Sequence, residues 1–477
     1  MKNLILLLFL SICSLNLSAQ LITVSEEIPL GNDISYDILG EMGQHILLFR
    51  DGKSKFEVQA FNPQMKESWS KEIVLEKRLP KVLGTLSNKR GFSLIYSHKE
   101  KGNSIIRMHQ YDPAANLIDS SVIINLGFLF FTPRYQLVRS EDRSKLLLFY
   151  AENQETIHAY SIDIMSQSLL WQNTLKPDDF IFNRDFVQAL IDNDGGVNII
   201  LSRDNFRSKR KDHYYQIYHC NGSSQSTEST LVKIPMQDYI TYDIFTKYDN
   251  LNHQIVLAGL YAETNSERAK GVFYFNVKPA SEQPPFVIFN EFSEIFLENL
   301  LTKSYKEGKG LKDASIRDLI VRRDGGVLLI MEKNHEFQRR TGTTARANFN
   351  PNSDRMMVDF YFDEIFVLSI HPTGALHWET ILHKKQYSQD DGGIYSSFFL
   401  FETAGQLRFL FNDEINYENT VSEFIINGRG DSNRKSLFST ANLDLRLRFR
   451  DALQITSNAL IIPSERRNRL RLVKLKY

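Results

Sequence analysis

Short apolar runs, each entered through a tight polar or glycine turn, recur along the whole chain. Asp324-Gly325-Gly326 leads into Val327–Met331, and Asp194-Gly195-Gly196 leads into Val197–Leu201. Glycine supplies the positive φ such turns need at no steric cost. Looser copies precede Ile46–Phe49, Ser93–Tyr96, Leu146–Phe149, Ile255–Ala258, Arg408–Phe411 and Leu460–Pro463. These runs have the length of strands and lack polar alternation, so they read as strands buried on both faces. Eight such units, mostly about 50 residues apart, are the mark of a repeat architecture.

Each unit is read as four strands, and the turn from third to fourth has a grammar of its own. It is FNPQMKESW at Phe61–Trp69, YDPAANLID at Tyr111–Asp119, IDIMSQSLLW at Ile162–Trp171 and IHPTGALHW at Ile370–Trp378. Asn, Asp, Pro and Gly in these stretches are bend formers. All three tryptophans, Trp69, Trp171 and Trp378, occupy the same slot just after that turn. A bend with Asp, Pro or Gly followed by Trp seven or eight residues on resembles the quinoprotein-type β-propeller repeat. The resemblance implies that these tryptophans dock one blade on the next. No adjacent cysteine pair or set of quinone and calcium ligands is found, so the nearer likeness is to the cofactor-free scaffold branch of that family.

The expectation is therefore an all-β chain forming a single closed propeller of eight four-stranded blades, with seven as the alternative. The last unit holds only three strands, whereas Leu21–Leu30 is a strand without a partner. Placing residues 21–30 as the outer strand of the last blade closes the ring and removes two exposed edges. Within the domain 21–477, Ser293–Lys312 reads as a helical insertion, from Ile295, Phe296, Leu300 and Leu301 at helical spacing, and Lys333–Met357 as a long loop. Second-to-third-strand loops and blade-to-blade links share one face of a propeller. Long loops in blades 4 to 7 make that face the elaborated one, where binding is expected.

Composition adds the address. Lys2, the apolar Leu4–Leu10 and Leu17-Ser18-Ala19-Gln20 make residues 1–20 a secretory signal, and the expected location is periplasmic, cell-surface or secreted. Leu10-Ser11-Ile12-Cys13 is similar to a lipobox, but the bulky Ile12 stands where a small residue is wanted, which argues against an anchor at Cys13. No stretch is apolar for the length a bilayer demands. With 57 basic and 57 acidic residues the chain has no global field for nucleic acid. A monomer is expected.

No hydrolase elbow, zinc helix, phosphate loop or dinucleotide fingerprint is present, and no catalytic residue or metal ligand is assigned. His371, His377 and His383 lack a completing ligand. Arg429-Gly430-Asp431 sits where a turn is wanted, as does Asp390-Asp391-Gly392-Gly393. Asp359 and Asp363 on one extended strand would lie about 13 Å apart, too far for a glycosidase pair. Two sets remain. Basic loop residues Arg203, Arg207, Arg210, Arg339, Arg340 and Arg346 suit a protein or polysaccharide partner. Asp37, Gln136, Gln188, Asp243, Asp318 and Asp451, counted back from the apolar strands, would ring the channel mouth and suit a cation such as calcium, the one cofactor considered. The expected function is a non-catalytic binding or scaffold propeller of the cell envelope, with a glycan or peptide hydrolase or lyase acting at the channel mouth as the alternative.

Overall fold

The computed structural model describes residues 20–477 apart from 32, 53–54, 76–79, 206–211, 222–228, 264–266, 280–284, 304–308, 341–355, 414–419 and 441–442. Eight antiparallel four-stranded blades form a ring. Blade 1 comprises Ser35–Met42, His45–Asp51, Phe56–Phe61 and Glu67–Ile73, from the channel outward. Blades 2 to 7 follow with innermost strands Lys81–Asn88, Gln136–Arg139, Phe186–Ile191, Ile240–Asp249, Ala314–Val321 and Phe399–Glu402.

Blade 8 mixes the two ends of the described chain. Leu453–Thr456, Ala459–Arg466 and Arg469–Lys476 are followed outward by Leu21–Val24, with Leu21 opposite Lys476 and Val24 opposite Val473. Ile28–Pro29 continues along the same strand, opposite Leu470 and Arg469. Arg50 then ties this segment to blade 1, bonding Asp33 Oδ2 at 2.7 Å and the Pro29 carbonyl at 2.7 Å.

The core is not one mass. Apolar side chains gather into eight clusters, one in each seam between blades. Successive side chains of a strand point to opposite faces, so one strand feeds two seams. Leu47 and Phe49 pack against blade 2, whereas Ile46 and Leu48 pack against blade 8. That is why the second strands carry no polar alternation.

Three expectations need correction. Lys333–Met357 is not a loop at its ends: Val327–Arg340 and Met356–Ile370 run on as one long hairpin, with Arg339 opposite Met357. Lys333–Arg340 is polar and reads as loop because the apolar alternation sits in its partner strand. In the helical insertion, Glu294–Leu301 is the helix, capped by Ser293 Oγ accepting the Phe296 N–H at 3.1 Å, but Ile295 is exposed while Leu297 is buried. A second helix, the single turn Phe182–Asp185, was not expected.

Candidate partner-binding surface

The tryptophans sit at blade seams. Each lies directly after a one-residue bulge in its strand pairing: Ser68, Leu170 and His377 are skipped just before Trp69, Trp171 and Trp378. The bulge turns the indole toward the next blade. Trp69 packs on the cluster shared by blades 1 and 2, and Trp171 on that of blades 3 and 4. Trp378 lies against Gly430 of blade 7, where an added Cβ would stand 2.8 Å from the ring. Gly430 has φ of +88° in a turn held by Asn427, whose Oδ1 accepts the Arg429 and Asp431 N–H groups. The Arg-Gly-Asp sequence is thus a blade-docking turn.

The six channel positions differ in their contacts. Asp37 and Asp451 line a cavity of about 660 Å³ at the loop-rich end of the channel, together with Tyr36, Arg448, Arg450 and Glu465. Gln188 lines a second cavity, of about 550 Å³, which reaches the opposite face at Glu141, Asn250 and Arg323. Asp243 accepts the Ile316 N–H and so links the innermost strands of blades 5 and 6. Burial raises its pKa, and that hydrogen bond opposes the rise. Asp318 pairs with Lys247 at 3.0 Å, and Asp451 with Arg448 at 2.6 Å. Asp37 accepts from Thr85 at 3.2 Å. Gln136 opens the innermost strand of blade 3, opposite Phe149. The innermost strands of blades 1, 2, 4, 5, 6 and 8 carry bulges, around Leu39, Leu83, Val187, Asp243, Arg317 and Ile455, which a count back along the sequence does not register. Among the described residues, no group of three or more His, Cys, Asp and Glu is placed to hold a metal ion.

The basic residues divide as well. Arg203 is buried, ion-paired to buried Asp185 at 3.1 Å and donating to the Asp178 carbonyl at 2.6 Å. It braces the end of its strand and is not offered to a partner. The sequence hides this because Asp185 lies 18 positions upstream. Arg207, Arg210 and Arg346 lie outside the described residues. Arg340 pairs in register with Met356.

Arg339 belongs to the most elaborate feature of the loop-rich face. Here the long hairpin of blade 6 gains a third strand, Gln386–Gln389, which pairs with Asp359–Phe362. The inner side of this small sheet buries Phe360, Phe362, Gln386 and Ser388. Its outer side aligns His335, Tyr361 and Tyr387 in one cross-strand row, and Phe337, Asp359 and Gln389 in the next. His335 stacks on Tyr361 at 4.5 Å, and Tyr361 meets Tyr387 at 5.2 Å. Phe337 is 56% exposed and Tyr387 41%.

Asp359, almost fully buried beneath them, organises the polar part of this surface. It pairs with Arg339 Nε at 2.7 Å and accepts from Tyr387 OH at 2.8 Å and Gln389 Nε2 at 3.0 Å. The Tyr387 hydroxyl first, then Arg339 and Gln389, hold its carboxyl below the usual carboxylate range. The carboxylate fixes the rotamers of Arg339 and Tyr387 in advance, and such preorganisation cuts the entropy cost of binding.

Beneath the sheet lies a buried charge cluster. Lys384 and Glu332 are fully buried and 2.7 Å apart. Glu332 also pairs with Arg317 at 2.8 Å and accepts from Ser397 at 2.7 Å, and Lys384 donates to the Phe362 carbonyl at 2.9 Å. Arg317 and Arg450 both lie over the Phe362 ring, at 5.5 and 4.6 Å. The cluster anchors the extension to the ring.

The sequence reading passed over a second feature of the same face. The link from blade 2 to blade 3 carries Phe128, Leu129, Phe130 and Phe131, with Phe130 85% and Phe131 87% exposed. The signal is present in the sequence as four apolar residues in a row after Gly127.

No family model matches the chain, and no curated protein matches it. Among solved structures it is similar to the β-propeller domain of the Trilobed protease from Pyrococcus furiosus, at 12% identity and a TM-score of 0.34 over 87% of this chain and 98% of that one. It is also similar to the polysaccharide lyase Uly1, at 10% identity and TM-score 0.38 over 85% and 93% of the two chains. Dipeptidyl peptidase 4 from Porphyromonas gingivalis aligns at 10% identity and TM-score 0.45, over 92% of this chain and 56% of that one. The likeness is one of fold.

Proposed function

We propose that this chain is an exported, non-catalytic binding propeller of the cell envelope that engages a protein or glycan partner through its loop-rich face. The observation that carries the reading is the outer side of the blade 6 extension. It joins exposed aromatic rings to an arginine whose position Asp359 sets. Tyr and Arg are among the residue types that dominate binding energy at interfaces, and Phe is enriched at interface cores. A channel-mouth enzyme would need a carboxylate free to exchange protons, and Asp451, Asp318 and Asp243 are each engaged by a cation or a backbone N–H.

A second reading, a hydrolase or lyase, rests on Glu402. This carboxyl lines the cavity of about 550 Å³, and burial raises its pKa against the pull of Lys247.

The test compares the wild type with Phe337→Ser and Tyr387→Ser. Each would be run in affinity electrophoresis through neutral and acidic polysaccharides and in capture from an envelope extract. Loss of a side chain at the centre of an interface costs about 2 kcal/mol or more, roughly thirtyfold in affinity. Equal retention of every bound species by the wild type and both variants would remove the site from this sheet. Cleavage of a polysaccharide that is abolished in Glu402→Gln would replace this reading with the enzymatic one.

A further inference from the structure

We propose that the Phe128–Phe131 tip is a docking point for an anionic lipid surface. The segment projects from the loop-rich face at the end of the outermost strand of blade 2, where Phe128 stands opposite Asn103. Phe128 and Phe130 meet edge to face at 5.0 Å, leaving Phe130 and Phe131 outermost. None of these residues lines either channel cavity. The tip is convex and apolar, with Phe130 and Phe131 the most exposed large apolar side chains among the described residues.

The charges around its base decide the occupant. The neighbouring turn of blade 2, Lys99-Glu100-Lys101-Gly102, brings exposed Lys99 and Lys101 beside it, and Gly102 lies under the Phe128 ring. Exposed Arg134 follows three residues after Phe131. Glu100, the one acid in this turn, faces His98 at 3.8 Å. Aromatic rings at the apex with cations one step behind match the layering of a bilayer surface, where acyl boundary lies beneath anionic headgroups. A lipid surface accepts a convex tip without shape complementarity. A protein receptor would need a pocket built for three phenyl rings.

The experiment is co-sedimentation of the purified protein with vesicles of phosphatidylcholine, alone or mixed with phosphatidylglycerol. The wild type partitions onto the mixed vesicles. Phe130→Ser combined with Phe131→Ser lowers that partition at least about tenfold. Lys99→Gln combined with Lys101→Gln lowers it roughly twenty-five-fold on mixed vesicles, since each cation near an anionic surface contributes about a factor of five. Both double variants melt with the wild type, because the altered side chains are exposed. Phe337→Ser leaves vesicle partition unchanged, so this inference and the blade 6 reading stand or fall separately. A wild type that ignores both vesicle types overturns the proposal in favour of a protein pocket. Equal partition of the double phenylalanine variant also overturns it.

Discussion

Trp171 donates its indole N–H to the carbonyl oxygen of Gly195, 3.0 Å away across the seam between blades 3 and 4. Gly195 belongs to the turn that starts the second strand of blade 4, so a blade is gripped at the turn joining its two inner strands. Ser161 Oγ donates to the same carbonyl at 2.9 Å. At the seam of blades 6 and 7, Thr380 Oγ1 donates to the Gly430 carbonyl at 2.6 Å beneath the Trp378 ring.

Gly430→Ala tests that grip. The substitution places a Cβ 2.8 Å from the Trp378 ring at a φ of +88°. Backbone strain and overpacking together cost about 2–4 kcal/mol. The urea midpoint falls accordingly, and adding Trp378→Leu restores part of the loss. An unchanged midpoint in Gly430→Ala would refute the contact.

His213 makes stability depend on pH. Its Nδ1 donates to the Arg203 carbonyl at 2.8 Å, so Nε2 is the acceptor, facing Thr241 Oγ1 at 2.6 Å. Burial lowers its pKa from 6.5 to about 4. Between those values the unfolded chain binds the proton and the folded chain does not. Stability from this residue is therefore complete above pH 6.5 and is lost as pH falls towards 4, by about 3 kcal/mol in all. Denaturant titrations at pH 7 and pH 4.5 should show a steeper loss in the wild type than in His213→Gln. Parallel losses would mean that His213 is already charged in the folded state.

The buried Lys384–Glu332 pair gives an asymmetric result. Lys384→Met strands a buried carboxylate with Arg317 and Ser397 and costs about 3 kcal/mol or more. Adding Glu332→Gln removes the stranded charge and recovers much of the loss. Urea midpoints for the two single variants and the double variant check this, and strictly additive losses would show that the two groups do not interact.

The fold was legible because its signals are local. Asp194-Gly195-Gly196 announces its strand within five residues, and the Trp slot repeats seven or eight residues after the start of its turn. What escaped depends on distant partners. Arg203 reads as a loop cation until Asp185 is placed beside it, and Lys333–Arg340 reads as loop until Met356–Phe362 pairs with it. The bulges of the innermost strands escaped for a different reason. A bulge shifts every later side chain of a strand by one place, and Leu39, Val187 and Arg317 give no sign of one in the sequence. Asp359, dismissed as half of a catalytic pair, became the organiser of the candidate surface because three strands converge on it.

The pairing of Leu21–Val24 with Arg469–Lys476 also orders events in time. The earliest of the blade strands is completed last, since its partner is made more than 400 residues later. At roughly 5–20 residues per second, Leu21 waits some 20 to 90 s for Lys476. Through that interval seven blades can assemble, but both rims of the arc stay open. The ring clasps only when the hairpin of Ala459–Arg466 and Arg469–Lys476 is delivered.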